Sequence, residues 1–219
     1  MAFILNLETS STNCSVALAK DAEVIQSLED NEPGYSHAEK LHLFIDEVVR
    51  QASIKINQLD AIAVGEGPGS YTGLRIGVAT AKGLCYALSK PLIAINSLEA
   101  LASQVFEEDC FLIPMMDARR MEVYDSVFFN RKLVQETKAT IVDATIYRNL
   151  IKESDKVRFI GNGVAKSRTF LNFPKASFYE DKMPSASSMA SLSFQKYQNQ
   201  NFEDIAYFDP FYLKEFKVN

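Results

Sequence analysis

The stretch between residues 60 and 95 constrains the fold of this chain more than any other part of the sequence. Residues 60–64 (DAIAV) form a short apolar run followed by glycines, and residues 92–95 form a second one. Both runs are too short for helices and suit strands that are buried on both faces. One helix is predicted between them, over residues 72–88. A strand, a helix and a second strand form a βαβ crossover, so the sequence predicts a parallel sheet with a right-handed connection.

The segment that joins the first of these strands to the helix is rich in glycine, at positions 65, 67, 69 and 73. It lies where a phosphate-binding loop would lie, before a helix N-terminus. Its spacing matches neither the G-x-G-x-x-G dinucleotide pattern nor the GK[ST] ending of a Walker A loop, and Pro68 removes one backbone N–H donor. We therefore predict a tight turn that lets the helix approach its neighbours.

Small residues at four-residue spacing form two stripes on the predicted helix. They are Gly73, Gly77, Ala81 and Cys85 in the first stripe and Ala79, Gly83 and Ala87 in the second. An interior glycine costs up to about 1 kcal/mol relative to alanine, so close packing must offset it. Two interpretations stay open: packing inside the lobe, or pairing of the helix across a subunit boundary. Arg75 and Lys82 exclude a transmembrane helix.

Residues 1–105 are predicted to form a first lobe. Three β-prone runs joined by polar turns predict an antiparallel meander, at residues 3–7, 15–19 and 24–28. Residues 37–52 have an amphipathic helical pattern, preceded by a capping-box sequence of Ser36 and Glu39. The predicted order of elements is βββαβαβ.

Residues 106–219 are predicted to form a second, smaller lobe. Its predicted strands are residues 111–115, 123–129 and 157–160. Its predicted helices are residues 143–152, 164–171 and 185–197. The C-terminal segment either stays with this lobe or packs back on the first.

The net charge of the chain argues against a protein that binds nucleic acid by itself. The formal net charge is −5, and residues 1–100 account for it with 7 basic and 12 acidic side chains. Nucleic-acid binding draws much of its affinity from phosphate neutralisation by a basic face. The chain would therefore need a partner to hold RNA.

The N-terminus and the cysteines indicate the cellular compartment of the protein. The apolar start of the chain has no basic region before it and no cleavage site after it, so we expect a cytoplasmic protein rather than a secreted one. Cys14, Cys85 and Cys110 are widely spaced and form no C-x-x-C pair. They predict buried thiols rather than disulfides or a zinc site.

The hydroxyl-rich turn after the first strand could carry chemistry. Glu8, Thr9, Ser10 and Ser11 would offer a carboxylate, hydroxyls and backbone N–H groups to a phosphate and its metal. An ordinary hydrogen-bonded turn is the alternative, since serine and threonine are common in turns.

The histidines and a later charged segment are weaker candidates. His37 and His42 are separated by a five-residue step, about 140° around a helix, so they cannot chelate one ion together. Asp117, Arg119 and Arg120 form either a site or a charged hairpin turn.

Four motifs follow one another along nearly the whole chain. They are ILNLETSSTNCSVAL at residues 4–18, GEGPGSYTGLRIGVATAKGL at 65–84, MDARRMEVY at 116–124 and PFYLK at 210–214. Together they resemble the TsaB (YeaZ-type) family, the partner proteins in bacterial threonylcarbamoyladenosine formation in tRNA. The second motif is highly specific, and the others agree with it in order.

The resemblance implies an α/β protein of the actin-like/Hsp70/sugar-kinase (ribonuclease H-like) class, with two lobes that each hold a mixed sheet flanked by helices. It implies a non-catalytic subunit that scaffolds the catalytic paralogue TsaD together with the ATPase TsaE. The complex would transfer a threonylcarbamoyl group to N6 of the adenosine beside the anticodon, and tRNA would be held only through it. No cofactor, metal or membrane is implied, and we expect a homodimer when the chain is alone.

In that family the partner surface is built from the two first-lobe helices, which correspond here to residues 37–52 and 72–88. The candidate interface residues are His37, Leu41, Phe44, Ile45, Tyr71, Gly73, Arg75, Gly77 and Ala81. The family generally has aspartate where Glu8 stands here. A longer carboxylate would intrude on a ligand, so we expect a vestigial phosphate loop and weak or absent nucleotide binding.

Two other functions stay open from the sequence. An independent ATPase or kinase of the same fold would use Glu8, Thr9 and Ser10. A metalloprotease would need a metal site, and the metal-binding HxxxH of the paralogue has no counterpart in this sequence.

Overall fold

The computed structural model describes residues 1–31 and 37–214, and the chain divides into two compact units. The first unit contains Met1–Ala100 and Pro184–Tyr212, and the second contains Leu101–Met183 and Leu213–Asn219. The sequence predicted a boundary after residue 105 and left open whether the C-terminal segment packs back on the first lobe; in the structure residues 184–212 belong to the first unit. The predicted cap Ser36 lies outside the described residues.

The first unit contains the predicted βββαβαβ order. Its elements are β1 (Phe3–Glu8), β2 (Cys14–Lys20), β3 (Glu23–Asp30), α1 (His37–Gln51), β4 (Ala61–Gly67), α2 (Tyr71–Leu88), β5 (Leu92–Asn96) and α3 (Ser97–Ala102), the last of which runs into the second unit. The strand order is β3-β2-β1-β4-β5. The three meander strands are antiparallel, whereas β4 is parallel to both β1 and β5. The βαβ crossover predicted from the sequence is therefore confirmed.

The second unit repeats this topology. Its elements are β6 (Cys110–Asp117), β7 (Glu122–Phe129), β8 (Lys132–Ile141), β9 (Lys156–Ile160), α4 (Val164–Ser167) and β10 (Ala176–Tyr179). The order β10-β9-β6-β7-β8 has three antiparallel strands and two parallel ones, as in the first sheet. Asp117 at the end of β6 thus has the topological position that Glu8 has at the end of β1. Two mixed sheets flanked by helices match the predicted fold class.

Helices cover both faces of the first sheet. On one face α1 and α2 bury an apolar cluster that includes Leu5, Leu41 and Val78. On the other face lie α3 and the segment after residue 184, a 3₁₀ helix (Ala186–Met189) followed by α5 (Ala190–Gln198). The helix α2 returns over a sheet face because the parallel strands β4 and β5 that it joins need a crossover connection.

The C-terminal segment continues along the first unit after α5. The Glu203 N–H donates to the Leu92 carbonyl at 2.9 Å, and Ile205 and Phe208 pack on the core beneath α2. These backbone and side-chain contacts hold the C-terminal segment on the first unit, which is one of the two alternatives that the sequence left open.

Several predicted elements of the second lobe are wrong or shortened. Residues 143–152 form successive turns rather than a helix, because Tyr147 has a left-handed backbone with φ of 60°. That conformation directs the Tyr147 hydroxyl to the buried Asp125 carboxylate at 2.7 Å. The helix predicted at residues 164–171 is shortened to α4 (Val164–Ser167). The strands β8 and β10 and the helix α3 were not predicted.

The three cysteines are buried and free, as predicted. Burial raises the pKa of Cys14 to about 11 and of Cys85 to about 12, so both remain thiols at neutral pH. Within residues 1–31 and 37–214, no helix combines the length and hydropathy needed to cross a membrane.

Candidate functional site

Glu8 closes the turn for which the sequence left two interpretations open, a vestigial phosphate loop or an ordinary hydrogen-bonded turn. Its side chain is fully buried, with Oε1 accepting from the Ser10 N–H at 2.7 Å and Oε2 accepting from Ser97 Oγ at 2.9 Å. The carboxyl lies over Gly65, where any Cβ would collide with it. Burial raises the pKa of Glu8 above its ordinary value. The carboxylate therefore fills the space beside the strand ends and binds groups of its own turn.

The hydroxyl residues of the turn are also turned inward. Thr9, Ser10 and Ser11 are all buried. Thr9 Oγ1 donates to the Gly73 carbonyl at 2.8 Å, and Ser11 Oγ accepts from the Asn13 N–H at 3.1 Å. The Ser10 carbonyl accepts from the Ser70 N–H at 2.6 Å. The turn thus packs beneath the start of α2, and the protein's own backbone pairs with these groups, whereas the buried Ser10 Oγ has no hydrogen-bond partner among the described residues.

The first small-residue stripe of α2 faces this turn. A Cβ on Gly73 would overlap the Thr9 carbonyl, and a Cβ on Gly77 would overlap Thr9 Oγ1. Ala81 is wholly buried against the sheet. This stripe therefore packs inside the lobe, which is one of the two interpretations that the sequence left open. Gly73, Gly77 and Ala81 are therefore corrected from interface residues to packing residues.

The second stripe of α2 is exposed. Ala79, Gly83 and Ala87 lie at the surface beside Tyr86, whose side chain is 83% exposed. Nothing lies within 4 Å of the position that a Cβ on Gly83 would take. No contact within the described chain therefore explains a glycine in this helix interior.

The predicted interface residues of α1 divide in the same way. His37, Leu41 and Ile45 are buried and face the sheet, so they too are corrected to core residues, whereas Phe44 is partly buried. Leu43 is 67% exposed and was not predicted. Its exposure could have been found from its position outside the i, i+3, i+4 apolar stripe of α1.

Tyr71 and Arg75 lie at the exposed start of α2 and contact the C-terminal motif. The Tyr71 and Tyr212 ring centroids are 4.9 Å apart, and the Arg75 guanidinium lies 4.1 Å above the Tyr71 ring. Arg75 Nε donates to the Tyr212 hydroxyl at 3.3 Å. The Phe211 N–H donates to the Glu66 carbonyl in the glycine-rich turn at 2.8 Å. Two of the four sequence motifs therefore meet at this helix end.

The histidines lie on different sides of α1, as their spacing predicts. Nε2 of the buried His37 is 2.8 Å from the Ser11 carbonyl, whereas His42 is exposed. Across residues 1–31 and 37–214, no group of three or more histidine, cysteine, aspartate and glutamate side chains is arranged to hold a metal ion.

Asp117 and the arginines after it form a tight hairpin turn between β6 and β7. Asp117 Oδ1 accepts from the Arg119 N–H at 2.6 Å and from Lys166 Nζ at 2.7 Å. The Asp117 N–H donates to Asn162 Oδ1 at 2.9 Å. The sequence left a site or a charged hairpin turn open for Asp117, Arg119 and Arg120, and the structure has the turn. Lys166 and Asn162, which come from a distant part of the chain, were not predicted.

Comparisons with known proteins identify the family. The family model "TsaD: tRNA N6-adenosine threonylcarbamoyltransferase" matches residues 32–218. A Bacillus subtilis protein named tRNA threonylcarbamoyladenosine biosynthesis protein TsaB is 33% identical over 73% of this chain and 70% of that protein. The chain belongs to the TsaB family. A Haemophilus influenzae TsaB protein is 28% identical over 96% of this chain and 93% of that protein.

A solved TsaB-type structure agrees with this assignment. The structure titled YeaZ from Pseudomonas aeruginosa superimposes with a TM-score of 0.83 at 25% identity, covering 97% of this chain and 100% of that chain. The fold class and the TsaB family predicted from the four motifs are therefore confirmed.

Proposed function

We propose that this protein acts in the formation of N6-threonylcarbamoyladenosine in tRNA, as the partner of a TsaD-type threonylcarbamoyltransferase. Its TsaB-family relatives carry this pathway in their names, which supports the assignment to the pathway. Residues 32–218 of this chain match the TsaD family model, so this chain and a TsaD-type protein are related, which supports a partnership between them. The observation that carries the partner role is the exposed surface of α1 and α2.

This helix-pair surface consists of Leu43 on α1 and Ala79, Gly83, Tyr86 and Ala87 on α2. Two large apolar side chains are exposed by 67% and 83%, and small residues lie beside one of them. Exposed apolar surface of this kind marks interaction sites, and small residues let a second backbone come close. The open space at Gly83 is then explained by a partner rather than by the chain itself.

A non-catalytic role is supported by the turn at Glu8. A phosphate at this turn would need the Ser10 N–H, which Glu8 already binds, and the space that the Glu8 carboxyl fills. We therefore propose that no nucleotide cofactor is needed by this subunit. Calorimetry of the isolated chain with ATP and magnesium should give no binding heat at millimolar ATP. Tight binding would instead favour an independent ATPase of the same fold.

The same surface suggests how the subunits assemble. Without its partner, the helix-pair surface would be covered by a second copy of the chain, since a two-fold dimer pairs the same patch on both subunits. The TsaD-type partner would replace that copy. The TsaE-type ATPase and tRNA would then join the heteromeric complex rather than the free chain, which agrees with the net charge of −5.

The experiment that tests the proposal is co-purification with the TsaD-type protein and measurement of modified adenosine in tRNA. Leu43→Glu should weaken the complex by at least about tenfold, because a charge would be buried in an apolar contact. Ile141→Glu is the matched control, since Ile141 is 64% exposed in β8 of the second unit.

The two readouts separate the parts of the proposal. Loss of both complex and product with Leu43→Glu, but not with Ile141→Glu, is the expected result. An unchanged complex would show that the helix-pair surface is not the interface. If the wild-type complex forms but makes no modified adenosine, the assignment to this pathway is refuted.

A further inference from the structure

The turn between β6 and β7 has two arginines that the helix-pair surface does not use. Arg119 and Arg120 are both exposed, at the tip of the hairpin formed by residues 118–121. Their backbones are left-handed, with φ of 65° and 48°. Because both residues are exposed, a ligand can reach their side chains.

The two carboxylates that flank these arginines in the sequence are already paired. Asp117 forms an ion pair with Lys166 at 2.7 Å, and Glu122 forms one with Lys214. Within residues 1–31 and 37–214, neither Arg119 nor Arg120 forms a salt bridge. Arg119 also acts on the Tyr124 phenol, which is neutral at pH 7 because its ordinary pKa is about 10 and burial raises that pKa further. Within the described part of the chain, neither guanidinium is therefore neutralised by an ion pair, although the chain as a whole has a net charge of −5.

Hydrogen bonds fix the backbone that carries these charges. The Arg119 N–H donates to Asp117 Oδ1 at 2.6 Å, and Lys166 Nζ donates to the Arg120 carbonyl at 2.9 Å. Asn162, from the loop after β9, accepts from the Asp117 N–H at 2.9 Å. A ligand that binds the two guanidinium groups would not have to order the turn, so less binding free energy is lost.

We propose that Arg119 and Arg120 contact the phosphodiester backbone of the tRNA. A guanidinium matches a phosphate with two parallel hydrogen bonds, and arginine is the usual residue for this contact. Two charges are too few to hold RNA alone, which agrees with binding only within the complex. This inference rests on the proposed function, because that function supplies the tRNA. An acidic surface of a protein partner is the competing occupant, and the experiment separates the two.

The experiment measures binding of fluorescently labelled substrate tRNA to the complex with the TsaD-type protein, between 50 and about 300 mM salt. The variant is the double substitution Arg119→Gln and Arg120→Gln. The logarithmic salt slope of tRNA affinity should fall by about 1 for each phosphate that is no longer neutralised. At 0.1 M salt this corresponds to a decrease of up to about tenfold in affinity for each such phosphate.

Two control variants make the test specific. Arg131→Gln removes another exposed arginine with a left-handed backbone (φ 64°), from the β7–β8 turn of the same unit, where it stacks on Phe106. It should leave the salt slope unchanged. The double substitution Arg119→Lys and Arg120→Lys keeps the charge and should keep the salt slope, since the slope counts neutralised phosphates.

The outcomes are distinct. A reduced slope in the Gln/Gln variant alone, with assembly of the complex unchanged, supports the proposal. An unchanged slope and affinity overturns it, and so does loss of assembly with the TsaD-type protein, which would assign the turn to a protein contact. Wild-type complex that binds no tRNA would instead refute the proposed function.

Discussion

Replacing Gly77 with alanine should destabilise the first unit, although alanine is the better helix former. Gly77 lies inside α2, and a Cβ built on it would lie 2.3 Å from Thr9 Oγ1 and 3.6 Å from Thr9 Cγ2. Real Cβ atoms essentially never approach another atom within 3.0 Å, so one group has to move. Thr9 cannot turn away without loss, because it is buried and Oγ1 donates to the Gly73 carbonyl at 2.8 Å.

The magnitude follows from three contributions to the free energy of unfolding. Alanine adds about 1 kcal/mol of helix propensity. Overpacking subtracts about 1–3 kcal/mol, and an unsatisfied buried hydrogen-bonding group subtracts about 1–3 kcal/mol more. The expected net loss is centred on about 3 kcal/mol, or about 6–12 °C in Tm for a chain of this size.

Gly83→Ala is the matched control in the same helix. Because nothing within the single chain lies within 4 Å of its Cβ position, only the helix propensity changes in the monomer. Measured at a protein concentration low enough to keep the chain monomeric, this variant should gain about 1 kcal/mol. Both variants can be compared by urea unfolding at one protein concentration, followed by circular dichroism, with the m-value as a check on the transition. If Gly77→Ala stabilises the chain as much as Gly83→Ala does, the close contact between α2 and Thr9 is wrong.

Two further predictions concern buried polar groups. Burial raises the pKa of Glu8, so the stability linked to its proton is complete below about pH 4.3 and is lost as pH rises through the folded-state pKa. Glu8→Gln should flatten that decline in urea unfolding between about pH 4 and 8, and an unchanged pH slope would contradict it. Tyr147→Phe should cost about 1–3 kcal/mol of unfolding free energy, because Asp125 loses a buried donor at 2.7 Å. Tyr207→Phe, at a side chain 85% exposed, should change nothing in the same assay.

Much of the first unit could be predicted from short-range patterns. The strands around Leu5, Val16 and Ile62 and the helices α1 and α2 all lie within a few residues of their predicted bounds. Alternating or continuous apolar runs and a 3.6-residue period are local signals, so neighbouring residues carry them. The family could also be predicted from the sequence, since each of its four motifs is a contiguous run of residues.

The second unit was predicted less well because distant contacts decide its local structure. Tyr147 breaks the helical pattern of residues 143–152 in order to bind Asp125, which is 22 residues away. The strand β8 has a mostly exposed pattern, with Val134 48% exposed, so its apolar signal is weak. The C-terminal segment likewise joins the first unit through the contact of Glu203 with Leu92. None of these partners can be identified from local sequence.

The helix α2 shows most clearly which properties follow from the sequence and which follow only from the tertiary structure. The sequence by itself determined that α2 has two stripes of small residues, and that a close approach must accompany them. It could not determine which stripe packs inward, because Gly77 and Gly83 look alike in a helical pattern. Only the tertiary structure decided this, by bringing Thr9 from the first turn against Gly77 and leaving Gly83 open to solvent. The physical reason is that a missing Cβ is a local property, whereas the atom that occupies its place belongs to a distant part of the chain.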